Sequence, residues 1–305
     1  QHHNSNQNIT DICLDSRLVN NGNLFFLLER NVQLQEQYLN QAIHNGAAAI
    51  IAPKEFTFDG AAINIPIIKV DSVRKTLSQV SSKYYPKQPK NILAITGTNG
   101  KTSVTKFTEE IWQLMGIKSA SIGTLGNSTT KTSSTLTTPD PISLHKQVDT
   151  LASEGFQNLV IEASSHGLKQ NRLDGLLFNS GIFTNLSQDH LDYHKNLKNY
   201  LKAKLYLFEN LLRDKGHVIT DEKLPEFKKI KNISINKNLK LHKINDGNLL
   251  KILSHTYEGE NQLIKIKYKK LVKVIRINLI GKVQLKNLLM AIIAAKKSNL
   301  NIQKI

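Results

Sequence analysis

One short segment, residues 91–102, limits the possible folds of this 305-residue chain more than any other. An apolar strand is predicted from Asn91 to Ile95, followed by the loop Gly97-Thr98-Asn99-Gly100-Lys101-Thr102 and by a helix from about Ser103. Glycines permit a tight loop whose N–H groups face inward, and a helix directly behind it presents the positive end of its dipole. The segment therefore predicts a phosphate-binding strand-loop-helix unit.

Two side chains of this loop suit ATP better than NAD. Lys101 is a flexible cation that can reach the outer phosphates, and the Thr102 hydroxyl can bind a Mg²⁺ ion shared with them. Ile95 stands where the common eight-residue pattern has its first glycine, so the loop is a variant of that pattern. The alternative is an ordinary strand-to-helix turn with a solvated lysine.

The charge of the chain does not predict nucleic-acid binding, although its formal net charge is +17. Residues 201–305 contain 23 Lys and Arg against 8 Asp and Glu, so they hold 15 of the excess charges. Those lysines lie among Ile and Asn, without interleaved Gly or aromatic stacking platforms. A solvated face is the favoured interpretation, and nucleic acid is not an expected partner.

Other features of the composition favour a cytoplasmic protein. The single cysteine, Cys13, excludes an internal disulfide framework and a cysteine zinc cluster. No apolar run approaches the roughly 18–20 residues that span a bilayer, and the polar start is not typical of a signal peptide. We expect a monomer that does not bind membranes.

The order of apolar stretches predicts two α/β domains. Strands are predicted at 23–28, 47–52 and 63–70, with helices around 38–44 and from Asp71 to about Ser82. Two prolines within 84–90 predict a linker, which places the domains at 1–88 and 89–305. In the second domain, strands at 118–123, 158–161 and 180–184 alternate with helices, including one at 143–155, and this predicts a mostly parallel sheet.

The last part of the second domain follows a different pattern. Residues 217–280 indicate short strands with turns at Asn245-Asp246-Gly247 and Glu258-Gly259, closed by a helix at 284–297. Ligands of parallel sheets bind at the carboxyl ends of the strands. Glu162 and Asn185 follow two predicted strands, so we expect them in the same crevice as Lys101.

Six motifs follow one another along the chain: Gly-Thr-Asn-Gly-Lys-Thr (97–102), Thr-Thr-Pro-Asp (137–140), Glu-Ala-Ser-Ser-His-Gly-Leu (162–168), Gln170 with Arg172, Asp-His-Leu-Asp-Tyr-His (189–194) and Tyr-x-x-Ala-Lys (200–204). They resemble the motifs of the Mur ligases, the ATP-dependent amino-acid-adding enzymes of peptidoglycan synthesis, and most closely the MurE branch. In the first domain, Leu14-Asp15-Ser16-Arg17 and Gly22-Asn23-Leu24-Phe25 resemble the family's UDP-binding entry.

The resemblance implies a role for each matching residue. ATP would be bound by the loop and its flanks, namely Gly97, Thr98, Asn99, Gly100, Lys101, Thr102 and Ser103, with Asn287 near adenine. The implied Mg²⁺ ligands are Thr102, Glu162, His190 and Lys204, the last as a carbamate, and the implied catalytic residues are Lys101, Lys204 and His190. The implied substrate-binding residues are Leu14, Ser16, Thr137, Thr138, Ser164, Gln170 and Arg172.

The resemblance also implies a reaction and an architecture. The carboxylate of UDP-N-acetylmuramoyl-L-alanyl-D-glutamate would attack ATP to give an acyl phosphate, and an amino acid, meso-diaminopimelate by analogy, would displace phosphate to form an amide. The fold implied is a small N-terminal α/β UDP-substrate domain followed by a P-loop ATPase-like central domain. The family's C-terminal amino-acid-binding domain is expected to be missing, because the chain stops at Ile305.

Three departures from the family pattern keep other interpretations open. Residues 30–35 replace a Gly-His-x-x-Asp-Gly loop expected to contact uracil and diphosphate, Leu136 stands in place of Asn before Thr137, and Gln284 in place of Asn before Asn287. One alternative is an inactive nucleotide-binding remnant. Another is a folylpolyglutamate synthase-type ligase, which shares the loop but is disfavoured by residues 164–168.

Overall fold

A computed structural model describes residues 8–29, 31–57, 64–130, 136–244, 250–259, 261–268, 271–279 and 281–298. These residues form two compact units. The first comprises the described residues up to Pro86 together with Asp140–Lys146 and Gln170–Gly175, and the second comprises the rest. The predicted division into residues 1–88 and 89–305 assigned these two short segments to the second domain.

The first unit contains a parallel four-stranded sheet in the order β1-β2-β3-β4. Its strands and helices are β1 (Asp11–Cys13), β2 (Asn23–Phe26), α1 (Val32–His44), β3 (Ala49–Pro53), β4 (Ile67–Val70) and α2 (Val73–Tyr84). Both sheet faces are apolar: Phe25 and Leu39 lie in one cluster, and Phe26 and Leu77 in another. The first unit is therefore an α/β unit with two small cores.

Helix caps explain where the helices of the first unit begin. The predicted α1 was too short, because the Asn31 side chain accepts the Leu34 N–H and starts the helix at Val32. In α2 the N-cap is Ser72 rather than the expected Asp71, and its hydroxyl accepts the Lys75 N–H at 3.3 Å.

The second unit is built on a seven-stranded sheet in the order β11-β10-β9-β5-β8-β6-β7, parallel except for the β6-β7 pair. In chain order, its elements from β5 to β9 are β5 (Asn91–Thr96), α3 (Lys101–Leu114), β6 (Ser119–Gly123), β7 (Gly126–Asn127), α4 (Pro141–Ser153), β8 (Asn158–Glu162), α5 (Ser165–Lys169) and β9 (Phe178–Phe183). Helix α4 begins within the segment that belongs to the first unit.

The remaining elements complete this sheet and add a second one. They are α6 (Leu191–His194), α7 (Leu197–Tyr206), a π-helical turn (Leu207–Leu211), β10 (Leu212–Thr220), α8 (Phe227–Asn236), β11 (Lys240–Lys243), β12 (Lys251–Glu258), β13 (Asn261–Tyr268), β14 (Leu271–Ile277) and α9 (Gly281–Lys297). Strands β12 to β14 form an antiparallel sheet.

The prediction of short strands over 217–280 was wrong for Phe227–Asn236, which form α8. The predicted turn at 245–247 lies outside the described residues, as does Arg30 of the segment 30–35. The predicted strands at 91–95, 158–161 and 180–184 correspond to β5, β8 and β9, the central strands of the sheet. Strands buried on both faces read as continuous apolar runs, which is why their positions could be predicted.

One apolar cluster holds the second unit together around α3 and α9. Trp112 of α3 is fully buried and shares this cluster with Met290 and Ile293 of α9 and Ile95 of β5. The cluster thus fixes α3, whose first turn follows the glycine-rich loop. Among the described residues, no helix combines the length and apolarity that a bilayer crossing requires.

Truncation of a buried central-strand side chain should destabilise the second unit strongly. Leu159 of β8 is 0% exposed, so Leu159→Ala should cost about 2–5 kcal/mol of unfolding free energy through the cavity it leaves. Leu114 at the end of α3 is 86% exposed, so Leu114→Ala should change stability by no more than about 0.5 kcal/mol. Urea unfolding followed by circular dichroism measures both, and equal losses would contradict this packing.

Candidate active site

The two glycines of the loop allow its close approach to neighbouring elements. Gly97 and Gly100 have φ of 149° and 87°, and Gly100 caps α3, which begins at Lys101 rather than near Ser103 as predicted. A Cβ on Gly97 would lie 1.8 Å from Thr184 Oγ1, and one on Gly100 would lie 2.8 Å from Asn287 Oδ1. The loop therefore requires glycine at both positions.

The residues just after β9 hold the loop in place. Asn185 accepts the Thr98 N–H with its carbonyl at 3.0 Å and the Asn99 N–H with its side-chain oxygen at 3.0 Å. The Asn185 amide then donates to the Asn99 carbonyl at 3.1 Å, which also accepts the Thr184 hydroxyl at 2.7 Å. Asn185 therefore lies beside the loop, in the same crevice as Lys101, as its place after a strand indicated.

A partly buried lysine, Lys101, and a buried one, Lys204, converge on one carbonyl of this loop. Lys101 Nζ donates to the carbonyls of Gly97 at 3.0 Å and Thr98 at 2.9 Å. Lys204 Nζ of α7 donates to the same Gly97 carbonyl at 2.8 Å and lies 4.2 Å from the centroid of the Tyr200 ring. Lys204 is 1% exposed, and neither lysine forms an ion pair with a carboxylate among the described residues.

Burial makes both ammonium groups more acidic. Burial, followed by the charge of Lys101, lowers the pKa of Lys204 to about 7, against the opposing effect of Asp189. Burial also lowers the pKa of Lys101, against the opposing effects of Glu162 and Asp189. Lys204 is therefore partly a neutral amine at neutral pH, which an ordinary surface lysine is not.

Glu162 lies at the end of β8, is 1% exposed and accepts hydrogen bonds from three sources. The Thr102 hydroxyl donates to Oε2 at 3.1 Å and the Thr124 hydroxyl at 2.9 Å, and the Thr124 N–H donates to Oε1 at 3.2 Å. Gly123 makes room for the carboxylate, because a Cβ there would lie 2.3 Å from Oε1. The predicted metal ligands Thr102 and Glu162 are thus in contact.

The oxygen donors around Glu162 fit Mg²⁺. Mg²⁺ is bound in phosphate sites by one or two carboxylates, a hydroxyl, water and the phosphates themselves. Thr102 and Glu162 supply that donor chemistry within one hydrogen bond of each other. The part of the chain that the structure describes contains no group of three or more His, Cys, Asp or Glu side chains arranged to hold a metal ion.

His190 joins the loop region through aromatic neighbours. Its side chain is half exposed, its Nε2 lies 3.5 Å from Asp189 Oδ2, and its backbone adopts the left-handed conformation at φ 51°. Its ring centroid lies 4.9 Å from that of His166 and 6.3 Å from that of Tyr200, whose hydroxyl is 3.3 Å from Thr98 Oγ1. The structure therefore places His190 in a group of aromatic side chains. One of them, Tyr200, lies on α7, the helix that also carries Lys204.

Asn287 of α9 lies against the start of α3. Its amide donates to Gln284 Oε1 at 3.1 Å, and the Gln284 amide in turn donates to Ser103 Oγ at 3.3 Å. Asn287 is 3% exposed and lies close to Gly100. Gln284, the residue that departs from the family pattern, thus links Asn287 to the first turn of α3.

Three predicted substrate residues belong to the second unit. Thr138 is fully buried, and its hydroxyl donates to the Glu162 carbonyl at 2.8 Å and lies 3.0 Å from Ser164 Oγ. Ser164 Oγ accepts the Gly167 N–H at 3.0 Å, and Thr137 Oγ1 lies 3.1 Å from Thr124 Oγ1. These hydrogen bonds connect the Thr137-Thr138 segment to both Glu162 and the turn before α5.

The first unit holds a cavity of about 550 Å³ that includes two other predicted substrate residues. It is lined by Leu14, Asp15, Ser16, Arg17, Phe25, Phe26, Leu27, Leu28, Glu29, Gln37, Tyr38, Gln41 and Arg74. Ser16 Oγ donates to Gln41 Oε1 at 2.7 Å. Arg17 pairs with Asp15 at 2.6 Å, and this hydrogen bond lowers the pKa of Asp15 to about 2.

Gln170 and Arg172 lie in the first unit, beside Arg74. Gln170 Oε1 accepts from Arg172 Nη2 at 2.8 Å, from Arg172 Nε at 3.1 Å and from Arg74 Nη1 at 3.2 Å. The two guanidinium groups therefore meet at one amide oxygen. Such a pair of cations is suited to phosphate or carboxylate.

Sequence reasoning missed Thr124 as a partner of Glu162. It follows β6 directly, and its place after a strand of a parallel sheet was the available signal. Tyr200 was noted only as part of the Tyr-x-x-Ala-Lys motif, yet its hydroxyl and ring contact Thr98 and Lys204.

Comparison with known proteins identifies the family of this chain. Residues 95–295 match the Mur ligase middle domain. The UDP-N-acetylmuramoyl-L-alanyl-D-glutamate--2,6-diaminopimelate ligase of Bradyrhizobium diazoefficiens is 45% identical over 213 residues, which are 69% of this chain and 43% of that protein. The ligase of the same name from Chelativorans sp. is 37% identical over 286 residues, covering 93% of this chain and 59% of the relative.

A solved structure of a ligase with that name superimposes with a TM-score of 0.83 at 26% identity, covering 96% of this chain and 61% of the other. This chain therefore spans about half of the length of the two relatives and less than two thirds of that structure. The match to the middle domain extends over most of the chain and includes Lys101, Glu162, Lys204 and Asn287. The chain belongs to the Mur ligase family.

Proposed function

We propose that this chain binds Mg²⁺-ATP and UDP-N-acetylmuramoyl-L-alanyl-D-glutamate as part of a ligase that joins 2,6-diaminopimelate to that substrate. The observation that carries the proposal is the convergence of Lys101 and Lys204 on the Gly97 carbonyl, beside a loop suited to phosphate. A phosphate anion is the natural ligand for the Lys101 cation, which has no carboxylate partner among the described residues.

The reaction consists of two displacements. An oxygen of the substrate carboxylate attacks the γ-phosphorus of ATP, ADP leaves, and an acyl phosphate forms. The amine of the amino acid then attacks the acyl carbon, phosphate leaves, and the amine loses a proton as the amide forms. Positioning and charge stabilisation carry such catalysis, so no protein nucleophile is needed.

Lys101 would neutralise charge on the transferring phosphoryl group while the N–H groups at the start of α3 hold the phosphates. To do so it would exchange the Gly97 and Thr98 carbonyls for phosphate oxygens, which a flexible lysine allows. When bound, Mg²⁺ at Thr102 and Glu162 would add positive charge at the same oxygens. We assign a second ion to His190 and to the carbamate of Lys204, and Asn287 to the adenine side.

Carbamylation of Lys204 fits the chemistry of its surroundings. The reaction with CO₂ requires a neutral amine, and burial favours that form by lowering the pKa of Lys204 to about 7. The ammonium group of Lys204 has three N–H donors, whereas a carbamate would have only one to offer the Gly97 carbonyl. Its carboxylate would instead face Lys101, so that one of two like charges becomes a counter-ion.

The substrate assignment rests on residues in both units. In the first unit, Leu14 and Ser16 line the cavity, and Gln170 orders the two guanidinium groups. In the second, the Thr137-Thr138 segment and Ser164 lie next to Glu162. We assign the UDP portion to the first unit and the reacting end of the substrate to the second.

Replacing Lys101 should remove most ATP affinity without affecting the UDP substrate. Loss of charge-assisted bonds to phosphate predicts roughly 10- to 100-fold weaker Mg²⁺-ATP binding for Lys101→Ala. Isothermal titration calorimetry measures this. Lys106→Ala is the matched control, because Lys106 lies on the same helix α3 and pairs with Glu109 at 3.3 Å.

The same calorimeter tests the substrate half of the proposal. UDP-N-acetylmuramoyl-L-alanyl-D-glutamate should bind the wild-type chain and the Lys101→Ala variant alike. Unchanged ATP affinity in Lys101→Ala would refute the role of the loop. Failure of the wild-type chain to bind the UDP substrate would refute the substrate assignment while leaving ATP binding intact.

Carbamylation of Lys204 can be observed directly by ¹³C NMR after addition of ¹³C-bicarbonate. A carbamate signal should be present in the wild-type chain and in Lys202→Arg, whose side chain is exposed on the same helix α7, but absent in Lys204→Arg. The signal should strengthen as pH rises from about 6 to 8, because the neutral amine then predominates. A signal that persists in Lys204→Arg would assign the carbamate elsewhere.

A further inference from the structure

A second cavity of the second unit lies at the opposite end of the sheet from the glycine-rich loop. Its volume is about 340 Å³, and Asn91 and Asn179 line it at the amino ends of β5 and β9. Gly97 follows the carboxyl end of β5, roughly 20 Å away at the rise of an extended strand. The cavity is therefore separate from the site assigned to ATP.

The lining of this cavity is strongly basic. Lys90, Arg213, Lys215 and Lys297 contribute cations, and Asp214 is the only acidic residue among the described residues of its lining. Asp214 accepts a hydrogen bond from Asn238 at 2.8 Å, and within the described ranges none of the four cations forms an ion pair. Four cations and one carboxylate give the lining an excess of three positive charges, and none of the cations is paired with a described carboxylate.

The backbone of β10 is irregular where it supplies these residues. The pairing of β10 with β9 shifts register between Leu212 and His217, and Lys215 adopts the left-handed conformation at φ 57°. Gly216 permits the bulge, because a Cβ there would lie 2.8 Å from the Arg213 carbonyl. Bulges redirect side chains, and strained residues of this kind occur frequently at functional sites.

Neutral side chains accompany the cations. Asn179 lines the cavity, and its Oδ1 accepts the Ile92 N–H at 2.9 Å. His217 Nδ1 and His242 Nε2 lie 2.8 Å apart. Burial, followed by the charges of Lys297 and Lys240, lowers the pKa of His217 to about 4. His217 is therefore neutral at pH 7 and adds no further positive charge.

We propose that this cavity binds a small anion of the diphosphate class, independently of the ATP site. A diphosphate carries two to four negative charges, which matches the three excess charges of the lining. The Arg213 guanidinium can pair with two phosphate oxygens, while the lysines act as point charges. Such a ligand relieves the repulsion among the cations, which a monovalent anion would offset incompletely.

Calorimetric titration with pyrophosphate in 150 mM NaCl, about physiological ionic strength, tests this site. Mg²⁺ and a saturating non-hydrolysable ATP analogue are included to occupy the loop. The double variant Arg213→Gln/Lys297→Gln should bind pyrophosphate with an affinity at least about tenfold lower than that of the wild-type chain. The matched control, Lys228→Gln/Lys231→Gln, removes the same charge from exposed residues of α8 and should stay within about twofold of wild type.

Several results would overturn the proposal. Equal weakening in both double variants would mean that pyrophosphate responds to the overall charge of the chain. Unchanged binding in Arg213→Gln/Lys297→Gln, or no binding to the wild-type chain, would exclude the cavity. Binding of a single-stranded oligonucleotide that pyrophosphate does not displace would assign the basic surface to nucleic acid. Titration of the ATP analogue alone keeps a failure of this site distinguishable from a failure of the loop.

Discussion

The hydrogen bonds between Asn185 and the glycine-rich loop are the constraint on which the candidate site depends. They join the residues after β9 to the residues after β5, so the loop is fixed by the register of two central strands. Gly97 is compatible with this contact only because it has no side chain to meet Thr184. The sheet therefore determines where Lys101 and the first turn of α3 lie.

The charges of the site are arranged around that fixed loop in two groups. Glu162 is satisfied by threonine hydroxyls and an N–H, none of which neutralises its charge. Lys101 and Lys204 are satisfied by carbonyls, which likewise leave their charges in place. A magnesium-bound phosphate complements this arrangement, since its cation suits the Glu162 carboxylate and its oxygens suit the Lys101 ammonium group.

Much of this arrangement could be predicted from the sequence, because apolar runs mark the buried parallel strands and the glycine-rich loop follows one of them. The prediction failed for α8. Phe227 and Ile230 have helical spacing there, yet the whole stretch 217–280 was interpreted as short strands separated by turns. The second cavity could not be predicted at all, since Lys90, Arg213 and Lys297 meet only through the pairing of distant strands and α9.

The position of the single tryptophan gives the basic cavity an optical property. Trp112 is fully buried in the core of the second unit, but its indole N–H donates to Ser298 Oγ at 2.8 Å, and Ser298 lines that cavity. Indole emission responds to the hydrogen bond and electric field at this nitrogen. The chain therefore contains an intrinsic fluorophore that is hydrogen-bonded to a residue of this cavity. The first unit has no tryptophan, so a change in the emission spectrum reports on ligand binding at the cavity and not on binding in the first unit.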